Sequence, residues 1–400
     1  GNTMGGYIRT GGMELGLFRR LLGLTTLGLS ILLTSACAPE QQVSGIVEIT
    51  GEEEIIILLP YTLGLNMIGV SPGTPSYTYL RDYSALSIMI GDEKEGISFA
   101  FPYDVTDGDK LHLVREGNLL LLNGDVVSIS ITSDSLDSTK EWIDGASRDQ
   151  LRKIRMILVD VEPIDAFIDQ VQRIAQENKE FGLSFGSDES IHGFLGFTGP
   201  SVLTIGEPYE ENFRNLDLSD VRYLAVAGLD EDIREYMLKN AGPKLTHVIA
   251  TDVDLRKYPE AFAGIRCLIT GVEKSESHSP LESSLLGALP ALEELVLLDS
   301  ASDYSGGIDF NDLPHPDNLK LLALVQDNSG IDIVNWNALS NLEAFTGNFR
   351  SDEDLGKLIQ ACPKLRYLNL REYSLTSLDA LEGATNLECL VLGENLSELD

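Results

Sequence analysis

Leu365-Arg-Tyr-Leu368-Asn-Leu370 and, 22 residues later, Leu387-Glu-Cys-Leu390-Val-Leu392 repeat one pattern: apolar-x-x-apolar-x-apolar. Leu292-Glu-Glu-Leu295-Val-Leu297 and Leu319-Lys-Leu-Leu322-Ala-Leu324 fit it as well. In looser form it fills the C-terminal two-thirds of the chain. Its central apolar residues are Ile157, Phe181, Leu203, Leu224, Val248, Leu268, Leu295, Leu322, Phe345, Leu368 and Leu390, in steps of 20 to 27 residues. Asn178, Pro200, Thr270 and Gly347 occupy slots that the pattern reserves for apolar side chains. Apolar residues alternating over so short a span predict a strand with one face inward. One such unit cannot bury its own apolar side, so successive units must stack and share a core.

The segments between strands must return the chain to the start of the next one. Asp165 to Gln176 places apolar residues at 167, 168, 171, 174 and 175, one face of a helix, with Pro163 just ahead. Ser351 to Ala361 reads as a second helix, with Ser351 and Asp354 matching a loose capping box. Leu378-Asp-Ala-Leu381 is short enough for a single tight turn.

The last two units resemble the leucine-rich repeat of the internalin-like, 22-residue kind, with Asn395 where that family places a backbone-bonding asparagine. Tyr373 and Asp327 stand at the equivalent sites of other units, so no continuous asparagine ladder is expected. The resemblance implies an α/β leucine-rich repeat solenoid, with parallel strands on the concave side and helices or tight turns on the convex side.

The front of the chain has a different character. Arg19-Arg20 precedes an uncharged apolar run from Leu21 to Leu33, then Thr-Ser-Ala-Cys37. A basic start, a short apolar stretch and small residues before a break describe a secretory signal, too short to favour a spanning helix. The cysteine makes it similar to a bacterial lipoprotein signal, although Thr34 stands where that family prefers leucine. The similarity implies lipid attachment at Cys37 and a chain exported and anchored to the membrane or cell surface.

The expected organisation is residues 1–36 as signal and upstream remnant, 37–45 as tether, and 46–120 as a small β-rich domain or cap. The solenoid follows over 121–400 and is expected to continue past Asp400. Within 46–120, Glu52 to Leu59, Ala85 to Ile90, Ile97 to Phe101 and Lys110 to Val114 read as short strands separated by Gly, Pro and Asp clusters. Val126 to Ile131 reads as an early repeat.

Charge narrows the partners. The chain carries 29 Lys+Arg against 63 Asp+Glu, a net charge of −34. Such a surface repels nucleic acid and anionic lipid headgroups, both of which need basic clusters. The expected partner is a protein or peptide. Cys267 and Cys389 fall at equivalent strand positions five rungs apart. At about 5 Å per rung they cannot bridge, and no disulfide framework is expected.

Catalytic motifs are weak. Gly182-Leu-Ser184-Phe-Gly186 matches a nucleophile-elbow string, but Ser184 falls in a repeat strand rather than a strand-to-helix turn. Asp104-Val-Thr-Asp107-Gly-Asp109 lacks the spacing and closing glutamate of a calcium loop. The histidines are isolated and no Cys-x-x-Cys occurs. No catalytic residue, metal or cofactor is expected, which favours a binding protein over an envelope enzyme acting through 46–120 or a structural spacer.

Binding belongs on the concave face. In each strand the residues flanking the inward apolar positions face it: Tyr223, His247, Ile249, Ile269, Glu294, Val296, Leu298, Leu321, Tyr367, Asn369 and Arg371. Its middle reads as unusually apolar, the mark of an interaction surface unless something covers it. The exposure of Ile249, Val296 and Leu321 decides between the two.

Overall fold

In the computed structural model the described residues are 42–50, 55–61, 64–70, 76–80, 88–94, 97–103, 108–160, 168–179, 181–185, 202–205, 218–226, 231–251, 253–271, 283–297, 307–324, 333–347, 349, 351–370 and 376–392. Cys37, Leu298, Arg371 and Asn395 lie outside them, as do Pro200 and the Asp104–Asp107 stretch.

The strands, in chain order, begin with β1 (Gln42–Thr50), β2 (Ile55–Tyr61), β3 (Gly64–Val70), β4 (Ser76–Leu80), β5 (Ile88–Lys94), β6 (Ile97–Tyr103), β7 (Lys110–Glu116) and β8 (Leu119–Leu122). The repeat strands are β9 (Asp125–Thr132), β10 (Met156–Asp160), β11 (Gly182–Phe185), β12 (Val202–Ile205), β13 (Tyr223–Ala225) and β14 (His247–Thr251). They continue as β15 (Cys267–Gly271), β16 (Glu294–Leu297), β17 (Leu321–Leu324), β18 (Ala344–Thr346), β19 (Tyr367–Leu370) and β20 (Cys389–Leu392).

From β9 to β20 every neighbouring pair is parallel and follows chain order. One register runs through them: Ile129, Ile157, Leu183, Leu203, Leu224, Val248, Leu268, Leu295, Leu322, Phe345, Leu368, Leu390. Ten of the eleven centres read from the sequence lie on this line. Phe181 does not; Leu183 takes its place. The slip is two residues, which keeps the same face inward, so alternation alone could not detect it. Both Phe181 and the line residues Ile157, Leu268, Leu295, Leu322, Phe345 and Leu368 are fully buried. Each such side chain removed from water contributes roughly 2 kcal/mol.

Two slot exceptions have local causes. Thr270 lies between Ala250 and Leu297 and is buried with them. Gly347 follows Thr346 beside Leu324, where a Cβ would come within 3.0 Å of the Leu324 Cβ and 3.1 Å of the Phe345 ring. The Phe345 ring, packed on Trp336 and Phe349, fills the space that a leucine takes elsewhere.

The convex side mixes helices and 3-10 turns. α1 (Leu136–Gly145), α2 (Arg148–Lys153) and α3 (Ile168–Glu177) serve the first rungs. α4 (Glu231–Asn240), α5 (Pro259–Phe262) and α6 (Asp352–Ala361) come later. Val171, Ile174 and Ala175 of α3 are buried, as the spacing predicted. Leu378–Leu381 is a 3-10 turn capped by Ser377. Ser351 accepts from the Asp354 amide at 3.3 Å, but the Asp354 carboxylate turns to Lys357 at 2.9 Å. The complete capping box is instead Ser147 with Gln150.

Asn178 sits where α2 ends. Its side-chain amide donates to the carbonyls of Leu151, Arg152 and Ile154 at 3.1, 3.2 and 2.5 Å. Helix ends leave carbonyls without partners, and this buried amide supplies them. Asn341 and Asn386 play a related part, donating to the carbonyls of Asp317 and Pro363 one rung back.

The chain before β9 contributes to two sheets. β8 is antiparallel to β9, β7 antiparallel to β8, β1 parallel to β7 and β4 antiparallel to β1, all within the solenoid sheet. A separate antiparallel sheet has the order β3-β2-β5-β6. Cys267 and Cys362 are free and buried, whereas Cys389 is disulfide-bonded. That corrects the expectation of no disulfide, although Cys267 and Cys389 do not bridge to each other.

Candidate binding face of the solenoid

Rung register turns strand positions into rows. The row one residue before the core line runs Tyr223, His247, Cys267, Glu294, Leu321, Ala344, Tyr367, Cys389. The row one residue after it includes Ile249, Ile269, Val296, Ala323, Thr346 and Asn369. Period-2 alternation puts both rows on the face opposite the core.

The two rows differ in exposure along their length. Tyr223, His247, Ile249 and Ile269 are half-buried. Val296 and Tyr367 have no exposed surface, Leu321 is 2 % exposed, and Glu294 and Asn369 are buried too. Among the described residues of these two rows, the half-buried side chains are therefore Tyr223, His247, Ile249 and Ile269, grouped at β13 to β15, and Thr346 alone on β18.

There the Tyr223 and His247 rings stack with centroids 4.4 Å apart and 27° between planes. The Thr246 hydroxyl lies 2.8 Å from His247 Nδ1. Burial, then the charges of Arg266 and Arg222, lower the His247 pKa to about 4, so the ring is neutral at pH 7. Next in the row, burial and the neighbouring Glu294 carboxylate push the Cys267 thiol well up. A nucleophilic cysteine needs the opposite environment, so this His-Cys-Glu run is not an activated thiol. Burial alone pushes Cys362 up to about 12.

Sequence reading missed a second row, at the residue just before each strand. Arg266, Glu293, Lys320, Glu343, Arg366 and Glu388 alternate in sign over six consecutive rungs. Each backbone amide donates to the carbonyl of the preceding member at 2.7 to 2.9 Å. Arg266 meets Glu293 through two contacts of 3.3 and 2.9 Å, and Arg366 meets Glu388 at 3.0 and 3.1 Å. Glu293–Lys320 and Glu343–Arg366 close at 4.0 and 3.6 Å. The signal was available in the pattern, one place ahead of the apolar residues.

A cavity of about 30 Å³ lined by Leu268, Thr270, Leu286, Leu295 and Ile308 has space for a water or two. Among the described residues, no group of His, Cys, Asp and Glu is arranged to hold a metal ion.

Parallel rungs in one register, spaced 20 to 28 residues apart and backed by helices and 3-10 turns, define a leucine-rich repeat solenoid. No family model and no curated protein sequence matches the chain. Among solved structures, a chain of the Drosophila Toll–Spätzle complex is similar at 11 % identity and TM-score 0.40, over 78 % of this chain and 47 % of that one. An internalin (inlF) from Listeria monocytogenes is similar at 14 % identity and TM-score 0.33, over 66 % of this chain and 94 % of that one. The TLR13–ssRNA13 complex is similar at 13 % identity and TM-score 0.34, over 63 % and 49 %. The chain spans about half the length of the matched chains of the Toll–Spätzle and TLR13–ssRNA13 complexes.

Proposed function

We propose that this solenoid is a non-catalytic binding module that takes a protein or peptide segment on its concave face at β13 to β15. What supports the reading is a continuous patch in which the Tyr223–His247 stack borders Ile249 and Ile269, all partly open to solvent. Aromatic and branched apolar side chains held on a rigid sheet lose little entropy when they bind, which suits them as anchors. The net charge of −34 argues for a protein rather than a nucleic acid ligand.

The test is a pull-down from envelope extract using the purified chain and a Tyr223→Ala/Ile249→Asp variant of matching circular dichroism. Capture by the first and not the second is expected; equal capture removes this face.

The same reading has the chain exported and held to the membrane by a lipid on Cys37, through residues 37–45. Chain extracted from membranes should show an added acyl mass on the peptide beginning at Cys37. A Cys37→Ala variant that stays membrane-bound would remove the anchor.

A further inference from the structure

We infer that the partner segment binds as an extended strand, pairing its backbone with the outer edge of β6 while its side chains reach the Tyr223–His247 wall. This rests on the concave face being the binding face and adds the form in which the partner is held.

Topology places that edge. β6 ends the sheet β3-β2-β5-β6, and among the described residues no strand pairs with its outer side. It comes within 8 Å of β10 between Cα atoms, and β2 comes as close to β4. The two sheets therefore lie face to face over the stretch from β10 back to β4. On β10 the concave-side residues Met156 and Leu158 are closed to solvent, as are Ser128 and Ser130 beside them on β9. Since β5 lies on the β4 side of β6, the outer edge of β6 points the other way, towards β11 and the open patch beyond.

Dimensions and chemistry fit one added strand. Neighbouring strands stand about 4.8 Å apart, so β13 lies about 14 Å along the face from β10. A strand bonded to β6 lies above β11, one strand width on, and its side chains span the distance left to Tyr223. Pro102 has no N–H to give a ladder, so its nitrogen faces away from β5, where it stands opposite Met89. By alternation the N–H groups of Ser98 and Ala100 face outward as well. An incoming backbone finds donors at 98 and 100 and none at 102, which fixes its register. Strand addition of this kind takes its affinity from main-chain hydrogen bonds and its specificity from alternate side chains. The net charge of −34 selects a neutral or basic segment over an acidic one.

The experiment is to pan a display library of random decapeptides on the full chain, then measure the recovered peptides by calorimetry. Methylating their backbone nitrogens one at a time should weaken binding at least tenfold, at alternate positions only. Ala100→Pro, which removes an outward N–H without touching the β5 ladder, should weaken binding at least tenfold with unchanged circular dichroism. Bound peptide should slow hydrogen exchange at the Ser98 and Ala100 amides. A methylation scan without alternation, or equal binding by Ala100→Pro, would overturn strand addition; loss of binding in Tyr223→Ala/Ile249→Asp would then still keep the face. A chain that self-associates until Ala100→Pro is introduced would give the edge to a second copy and overturn the peptide. Equal binding by Tyr223→Ala/Ile249→Asp, or a library with no enrichment, would overturn the face itself.

Discussion

Tyr223 and His247 lie ring on ring across neighbouring rungs, 4.4 Å between centroids, with the imidazole kept neutral by burial and two arginines. The His247 pKa is depressed in the folded chain, to about 4, against 6.5 for an unhindered ring. The unfolded chain therefore takes up the proton first. This contribution is complete above pH 6.5 and is lost as pH falls from there towards 4. Between pH 7 and pH 5, where most carboxylates stay ionised, wild type should lose about 1–2 kcal/mol more than His247→Gln. Urea melts of both at the two pH values measure it; parallel losses would show that the ring does not resist protonation.

Asn178 tests how the first rungs are tied together. Its amide serves three carbonyls at the end of α2 from a site only 5 % exposed. Asn178→Ala should cost about 1–2 kcal/mol, because the Ile154 carbonyl loses its donor in the interior while Leu151 and Arg152 keep longer contacts from the Ile154 amide and the Arg155 guanidinium. Asn178→Asp should cost more, since a carboxylate repels the same oxygens. Denaturant midpoints rank the three chains.

Gly242 marks a backbone crossing. A Cβ there would stand 2.4 Å from the Ser219 carbonyl oxygen and 2.7 Å from its Cα. Backbone cannot yield as a side chain can, so Gly242→Ala should destabilise by about 2–4 kcal/mol. Gly356, on α6 with open space around it, is the control. Gly356→Ala should stabilise by up to about 1 kcal/mol through helix propensity.

Arg366 binds Glu388 through two contacts, reaches Glu343 at 3.6 Å and donates to the Tyr367 hydroxyl at 3.1 Å. Its guanidinium also lies 4.9 Å from the Tyr367 ring centre. With about a quarter of the side chain exposed, water and salt weaken each pair, and Arg366→Ala should cost about 1–2 kcal/mol. Most of the charge component should vanish in 1 M NaCl. Exchanging the partners, Arg366→Glu with Glu388→Arg, should keep opposite charges at 366 and 388 but set Arg366→Glu against Glu343, and so restore stability only in part. Full restoration would mean that the pairs act independently rather than as a row.

Much of the architecture was legible because it depends on periodicities that write themselves into sequence. Leu295, Leu322, Leu368 and Leu390 recur at the spacing of one coil, and the structure stacks them in register. Phe181 misled because a two-residue slip leaves the same side chains inward. Gly347 looked like a defect until the Phe345 ring was seen to fill its place. The alternating charges escaped notice because each acid or base is unremarkable singly; only stacking makes neighbours of residues more than 20 positions apart. The apolar middle of the concave face was read correctly as composition, but composition carries no exposure, and Val296 and Leu321 prove closed to solvent.

The alternating row also constrains how such a chain can change length over generations. Deleting the coil that carries Lys320 would bring Glu293 against Glu343, and inserting one extra coil would set two like charges side by side. Duplication or loss of coils in pairs keeps opposites adjacent. Between Arg266 and Glu388, lineages descended from this ancestor should therefore differ by even numbers of coils, an inheritance rule written in parity.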